Sequence, residues 1–156
     1  MFNVVLVRPE IPPNTGNAIR LCANTGCNLH LIRPLGFSLD DKHMKRAGLD
    51  YHEYTSVKVH DSFEAFLASE NPQRDRMFAM TTKGTVRFGE SFFQPGDWFV
   101  FGSEGSGLPN EVRALFPPEQ MIRLPMRPNN RALNLSNTIA ITVYEAWRQN
   151  NFEGGV

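Results

Sequence analysis

Cysteine is almost missing from this chain, with Cys22 and Cys27 as the only two. Two thiols cannot build a disulfide scaffold, and their separation is not that of a redox pair. Both read as small hydrophobes in a reducing, cytoplasmic setting. Long apolar runs are lacking too. The N-terminal stretch FNVVLV is cut off by Arg8-Pro9-Glu10, which argues against a signal peptide or a membrane span. Nor is there an excess of one charge: sixteen basic residues balance sixteen acidic ones. A protein that held nucleic acid by bulk electrostatics alone would be more basic. The familiar chemical signatures are also missing. His30, His43, His52 and His60 lack metal-ligand spacing and no HExxH motif occurs, so no metal is expected. There is no GxSxG elbow and no Walker loop, and the segment after the first apolar run, RPEIPPNTG, holds one glycine where a dinucleotide fingerprint needs three.

What is present is a chain of 156 residues, 41% hydrophobic, in short apolar runs separated by turn signals. That length suits a single domain spanning residues 1–156, large enough for a real core. Strands are expected at 2–7, from 28, at Thr55–Val59, Met77–Thr81, Trp98–Phe101 and Met121–Leu124. Between them the patterning predicts helices over Gly16–Thr25 (capped by Asn14 or Thr15 after a proline loop), near Lys42–Arg46, over Ser62–Ser69 with Asp61 as cap, and near Pro109–Leu115. VRFGESFFQPGD reads as loop with a fragment of helix. The final helix, Asn134–Gln149, carries Leu135, Ile139, Val143 and Trp147 on one stripe, broadened by Ala140, Tyr144 and Ala146. About six strands alternating with helices predict an α/β fold with a parallel sheet flanked by helices. The apolar last helix suits either a cover for the sheet or a dimer contact.

Two late strands each release a polar loop: GSEGSGLP after Trp98–Phe101, and an Asn/Arg-rich loop after Met121–Leu124. In α/β proteins ligands are held at such strand ends. The candidate residues, Asn14, Arg20, Glu104 and Asn134, offer no strong acid–base pair. Such a set suits transfer of an already activated group, where alignment, exclusion of water and charge stabilisation suffice. Gly102, Gly105 and Gly107 let backbone approach a flat adenosine, or they form a tight structural turn. Arg123, Arg127 and Arg131 recur every four residues with no acid between them, which suits either a local RNA-binding patch or a solvated basic edge. Two other classes remain open on these residues: a small oxidoreductase, and an RNA-binding protein without catalysis.

NTGNAIR (14–20), FGSEGSGLP (101–109) and IRLPMRPNNRALNLSNTIAITVYEAW (122–147) together resemble the three motifs of the SPOUT superfamily of knotted methyltransferases. NVVLVRPEIPPNTGNAIRLCANTG, AGLDYHEY (47–54) and MTTKG (80–84) bring the chain near the bacterial branch that methylates the ribose 2'-OH of the wobble nucleotide, cytidine or a modified uridine, in leucine tRNAs. The resemblance spans essentially the whole chain. It implies a C-terminal deep trefoil knot, S-adenosyl-L-methionine bound bent within it, and a homodimer with each site near the subunit interface. Since true knots are nearly absent from proteins, composition and periodicity could not have suggested one. By motif position, Asn14 and Arg20 would face the acceptor ribose, Glu104 would belong to the second motif, and Asn134 would orient groups near the donor. Met80, Gly102, Leu124, Ala132 and Leu133 would line the adenosine site. Arg8, Lys83, Arg127 and Arg131, with the Lys42–Arg46 segment, would meet the tRNA. One position departs from the pattern: Ala132 stands where relatives often carry serine, which removes one side-chain hydrogen bond, worth about 1 kcal/mol.

Overall fold

The computed structural model describes residues 1–156. β1 (Asn3–Val7) is buried along its whole length, as a strand covered on both faces must be. α1 (Pro12–Thr25) begins four residues before the expected start, with Pro12 and Pro13 inside its first turn. A proline there has no intrahelical hydrogen bond to lose, and its fixed φ already suits a helix. Asn14 and Thr15 are therefore helical, not caps. Gly26 ends the helix in the left-handed region, at φ 76°, a role that glycine fills without a Cβ penalty.

β2 (Asn28–Ile32) leads to α2 (Asp41–Arg46), where Asp40 caps the helix by accepting from the His43 N–H at 2.8 Å. The strand expected at Thr55–Val59 lies further on, as β3 (Lys58–His60), because α3 (Tyr51–Tyr54) comes before it. Asp50 and Glu53 form a capping box around that single turn, a local signal the strand reading passed over. α4 (Phe63–Glu70) is capped by Ser62 rather than Asp61. β4 (Met77–Met80) is followed by β5 (Val86–Arg87), an edge strand in a segment expected to contain helix. β6 (Trp98–Phe101), α5 (Asn110–Arg113), β7 (Met121–Arg123) and α6 (Leu135–Gln149) complete the chain.

The seven strands, one more than expected, pair in parallel in the order β3-β2-β1-β6-β4-β7-β5. Alternate residues divide between two cores. Val4, Leu6, Phe99, Phe101 and Met80 pack beneath α1 and α6, whereas Val5, Val7, Val100 and Ala79 pack beneath α4 and α5. Along α6 the buried set is Ile139, Thr142, Val143 and Ala146. Ile139 and Val143 are fully enclosed, each stabilising the fold by about 1.5–3 kcal/mol. Tyr144, expected on this stripe, instead lies 45% exposed beside Ile141. β6 pairs with β1 on the far side of β4, and the chain then returns to place β7 between β4 and β5. α6 finally packs against α1, an arrangement consistent with the knotted C-terminal passage of a SPOUT fold. No helix is long and apolar enough to cross a membrane.

Because every strand points the same way, the loops leaving β1, β4, β6 and β7 all emerge at one edge of the sheet. That edge is where the candidate site residues converge.

Candidate active site

A cleft of about 450 Å³ opens at this edge, within the range of small-molecule sites. Met80 ends β4, Gly102 follows β6, Leu124 follows β7, and Ala132 and Leu133 lie just before α6; all five line the cleft. Asn14, Glu104, Asn134 and Lys83 line it as well. The apolar side chains, joined by exposed loop backbone, form a surface that suits a purine and ribose. The residues present thus fit an adenosine-containing donor.

The glycine loop is built as a closed turn. Ser103 N–H donates to the Gly107 carbonyl at 3.2 Å, and Gly107 N–H donates to the Ser103 carbonyl at 3.0 Å. A Cβ on Gly102 would lie 2.1 Å from the Gly107 carbonyl carbon and 2.2 Å from Leu108 N, so no other residue fits there. Gly107 sits at φ 69°, where a side chain would be strained. Two of the three glycines therefore serve the closure of the loop itself, while also bringing its backbone to the cleft wall.

Glu104 is held by the neighbouring loop. Its carboxylate accepts from the backbone N–H of Glu10 at 2.9 Å and of Ile11 at 2.7 Å, and from Asn14 Nδ2 at 3.2 Å. α1 has no acid in its own first turn, so Glu104 supplies the negative charge favoured at a helix N-terminus. It ties the glycine loop to the start of α1 and has no free geometry of a general acid or base. Glu104→Ala should leave the two backbone donors to water and cost about 1 kcal/mol for the lost hydrogen bonds. Calorimetric titration with S-adenosyl-L-methionine should show the accompanying loss of affinity, roughly tenfold or more; unchanged binding would separate this tie from the cleft.

Asn134 caps α6, with Oδ1 accepting from Ser136 N–H at 2.9 Å and from Ser136 Oγ at 2.6 Å. Its carbonyl oxygen is spent on the helix, which leaves Nδ2 as its donor toward a ligand. Arg113, which the sequence reading missed, also lines the cleft from α5, with Nη2 donating to Asn110 Oδ1 at 2.7 Å. A lone arginine on a short helix gave no signal in the sequence. With Lys83 it gives the cleft wall two cations.

The other basic candidates lie outside the cleft wall. Arg8, at φ 54°, pairs with Glu111 at 3.3 Å across exposed surface. Arg127 and Arg131 are exposed on the loop before α6. Arg20 is six residues along α1 from Asn14, roughly 9 Å along the axis, and does not line the cleft of its own chain. Its Nε donates to Glu53 Oε2 at 2.8 Å and its Nη2 to Glu53 Oε1 at 3.1 Å and to the Gly48 carbonyl. The hydrogen bond and charge of Glu53 raise the Arg20 pKa above its ordinary value. The guanidinium therefore stays charged, which counts against its acting as a general base.

Away from this edge, parallel pairing of β2 and β3 brings together residues whose spacing showed nothing. His30, His60 and Glu70 place ligand atoms within 4.8 Å of one another. His30 Nδ1 and His60 Nε2 are 3.0 Å apart, one donating to the other, so these nitrogens are spent on each other. Burial lowers the His30 pKa to about 4 and also lowers that of His60, against an opposing pull from Glu70. Between about pH 6.5 and pH 4 an unfolded chain binds a proton that the folded His30 refuses, so stability should fall as the pH drops through that window. The loss is on the order of 2–3 kcal/mol. Urea unfolding at several pH values should show it, with a flatter profile for His30→Gln; equal profiles would count against this origin. Cys22 and Cys27 are both buried, and burial pushes both thiols up, leaving them unreactive small hydrophobes.

Residues 1–144 match the SpoU rRNA Methylase family. The chain is 67% identical over 99% of its length to a tRNA (cytidine(34)-2'-O)-methyltransferase from Burkholderia ambifaria, of which it covers 99%. A solved structure concerned with 2-OH methylation of C/U34 on tRNA superposes with a TM-score of 0.86 at 45% identity, with 98% of each chain covered. The SpoU methyltransferase AviRb from Streptomyces viridochromogenes, solved with its cofactor AdoMet, superposes with a TM-score of 0.76 at 25% identity over 99% of this chain and 58% of that one. With the motifs, the parallel sheet and the cleft in agreement, the chain belongs to the SpoU methylase family of SPOUT methyltransferases.

Proposed function

We propose that this chain transfers a methyl group from S-adenosyl-L-methionine to the ribose 2'-OH of the wobble nucleotide, cytidine 34, of tRNA, as its Burkholderia relative's name describes. The observation that carries this reading is the convergence of all three motifs on one edge of the sheet, with every residue assigned to the donor site lining one cleft. We further assign leucine isoacceptors as the substrate, the cytoplasm as the setting, and a homodimer of single-domain subunits as the working form. Two features support the dimer. Arg20 lies outside the cleft of its own chain, and the exposed apolar side chains Ile141 and Tyr144 line one face of α6. In that dimer we assign Arg20 of one protomer to its partner's cleft.

S-adenosyl-L-methionine, when bound, supplies an electrophilic methyl on a sulfonium and departs as a neutral thioether, so the enzyme need not protonate a leaving group. The chain's own residues hold and orient. Met80, Leu124 and Leu133 would hold the adenosine, the Gly102–Gly107 turn would offer backbone to it, and Asn134 Nδ2 would be free to donate to the donor. Lys83 and Arg113 offer charge to a carboxylate or phosphate. Charged Arg20 lowers the cost of negative charge growing on the acceptor oxygen, and the hydroxyl proton leaves to phosphate or water. Arg127 and Arg131 hold the tRNA backbone without reading its sequence. Changing both to alanine should weaken tRNA binding and make its log–log salt dependence shallower by about 1.5, with donor affinity unchanged. Intact binding and turnover would place the patch elsewhere.

Mapping ribose methylation in tRNA from cells with and without the protein tests the assignment. Loss of the 2'-O-methyl group at nucleotide 34 of leucine tRNAs alone is expected. Its persistence, or loss at another site, would refute it.

A further inference from the structure

Glu53 is 7% exposed, and the transfer chemistry described so far does not use it. Its carboxylate nonetheless accepts three hydrogen bonds. Oε1 accepts from the Asp50 N–H at 2.8 Å and from Arg20 Nη2 at 3.1 Å, while Oε2 accepts from Arg20 Nε at 2.8 Å. The capping box of α3 fixes the carboxylate by backbone, and the carboxylate in turn fixes the guanidinium. A second hold comes from the Gly48 carbonyl, which also accepts from Arg20 Nη2.

A guanidinium has five N–H donors in a rigid plane. Here Nε spends its one donor on Glu53, and Nη2 spends both of its own, on Glu53 and Gly48. Only the two N–H groups of Nη1 remain. Arg20 therefore cannot grip a phosphate in the two-nitrogen fork usual for arginine without giving up one of these partners.

We propose that Glu53 is a positioning residue for methyl transfer: it holds Arg20 so that the Nη1 edge alone meets the acceptor nucleotide. This rests on the reading that Arg20 acts in the transfer. The same pairing lowers the pKa of Glu53, through its hydrogen bonds from Arg20 and the Asp50 backbone, so the carboxylate keeps its charge across the working pH range.

The test is a double-mutant cycle in kcat on unmodified tRNA, using Arg20→Ala, Glu53→Gln and the pair, with Tm and donor affinity measured for each. Misplacing a group by about 1 Å can cost about 10²-fold, so Glu53→Gln should lower kcat by roughly that factor at temperatures well below its Tm, with KM for tRNA and donor affinity little changed. The double variant should be no slower than Arg20→Ala, since a positioning residue has nothing left to position. Glu53→Asp, which keeps the charge and an N3 acid but shortens the reach, should retain the fold and share the loss in kcat; it carries the test if Glu53→Gln fails to fold. Normal kcat in a folded Glu53 variant, or losses that multiply in the double variant, would overturn the proposal. Full activity of Arg20→Ala would instead sink the underlying reading of Arg20, which keeps the two failures distinct.

Discussion

Gly102→Ala is expected to abolish detectable donor binding and to destabilise the fold by about 3 kcal/mol, seen as a drop in Tm of roughly 10 °C. The cause is steric and local. The added Cβ would fall 2.1 Å from the Gly107 carbonyl carbon and 2.6 Å from its oxygen. These atoms belong to the backbone of the closed turn and cannot swing aside as a side-chain tip can. Opening the turn would break the paired Ser103–Gly107 hydrogen bonds and move the wall of the cleft. Gly105→Ala is the internal control, because a Cβ there meets only the Glu10 carboxylate, at 3.5 Å, and should be tolerated in both Tm and donor affinity. Equal damage at both positions would mean that loop flexibility, rather than close approach at Gly102, sets the requirement.

Arg20→Ala is expected to lower methyl transfer by about 10²–10³-fold, the scale of removing one charge-stabilising donor from a transition state. Donor binding should be unchanged, since Arg20 is assigned to the acceptor nucleotide and not to the adenosine wall. The loss should appear in kcat, because the negative charge it stabilises develops only as the 2'-oxygen attacks. Arg20→Lys keeps the charge but cannot occupy both Glu53 oxygens and the Gly48 carbonyl in the same plane, and should recover little of the activity. A fully active lysine variant would reduce the role of Arg20 to charge alone. Loss of donor affinity in either variant would mean that Arg20 acts through the fold.

Much of this was legible in the sequence, for identifiable reasons. Central strands buried on both faces must be continuously apolar, so NVVLV and WFVF declared themselves. The second and third motifs follow the parallel strands β6 and β7 and their residues line the cleft, whereas the first lies within α1, where Asn14 reaches the cleft and Arg20 does not. Features that depend on pairing across the chain were not legible. Pro12 and Pro13 looked like helix breakers because nothing local shows that an acid ninety residues later will complete the helix N-terminus. The His30–His60 pair arises only once β2 and β3 lie side by side. β5 has two residues and no periodicity, and it exists because β7 offers it a partner. Arg20 illustrates the limit most clearly: its motif assigned it to the acceptor, but the sequence could not show that Glu53 and Gly48 occupy three of its five donors.

The central claim is that the late loops and Arg20 together deliver a sulfonium methyl to one ribose oxygen. Incubating the purified protein with label-bearing S-adenosyl-L-methionine and unmodified leucine tRNA, then locating the label by nuclease digestion and mass spectrometry, tests it most directly. The expected product is a single methyl on the 2'-oxygen of nucleotide 34, formed about 10²–10³-fold more slowly with Arg20→Ala. Label on a base, at another nucleotide, or incorporated by Arg20→Ala at the unaltered rate would contradict it.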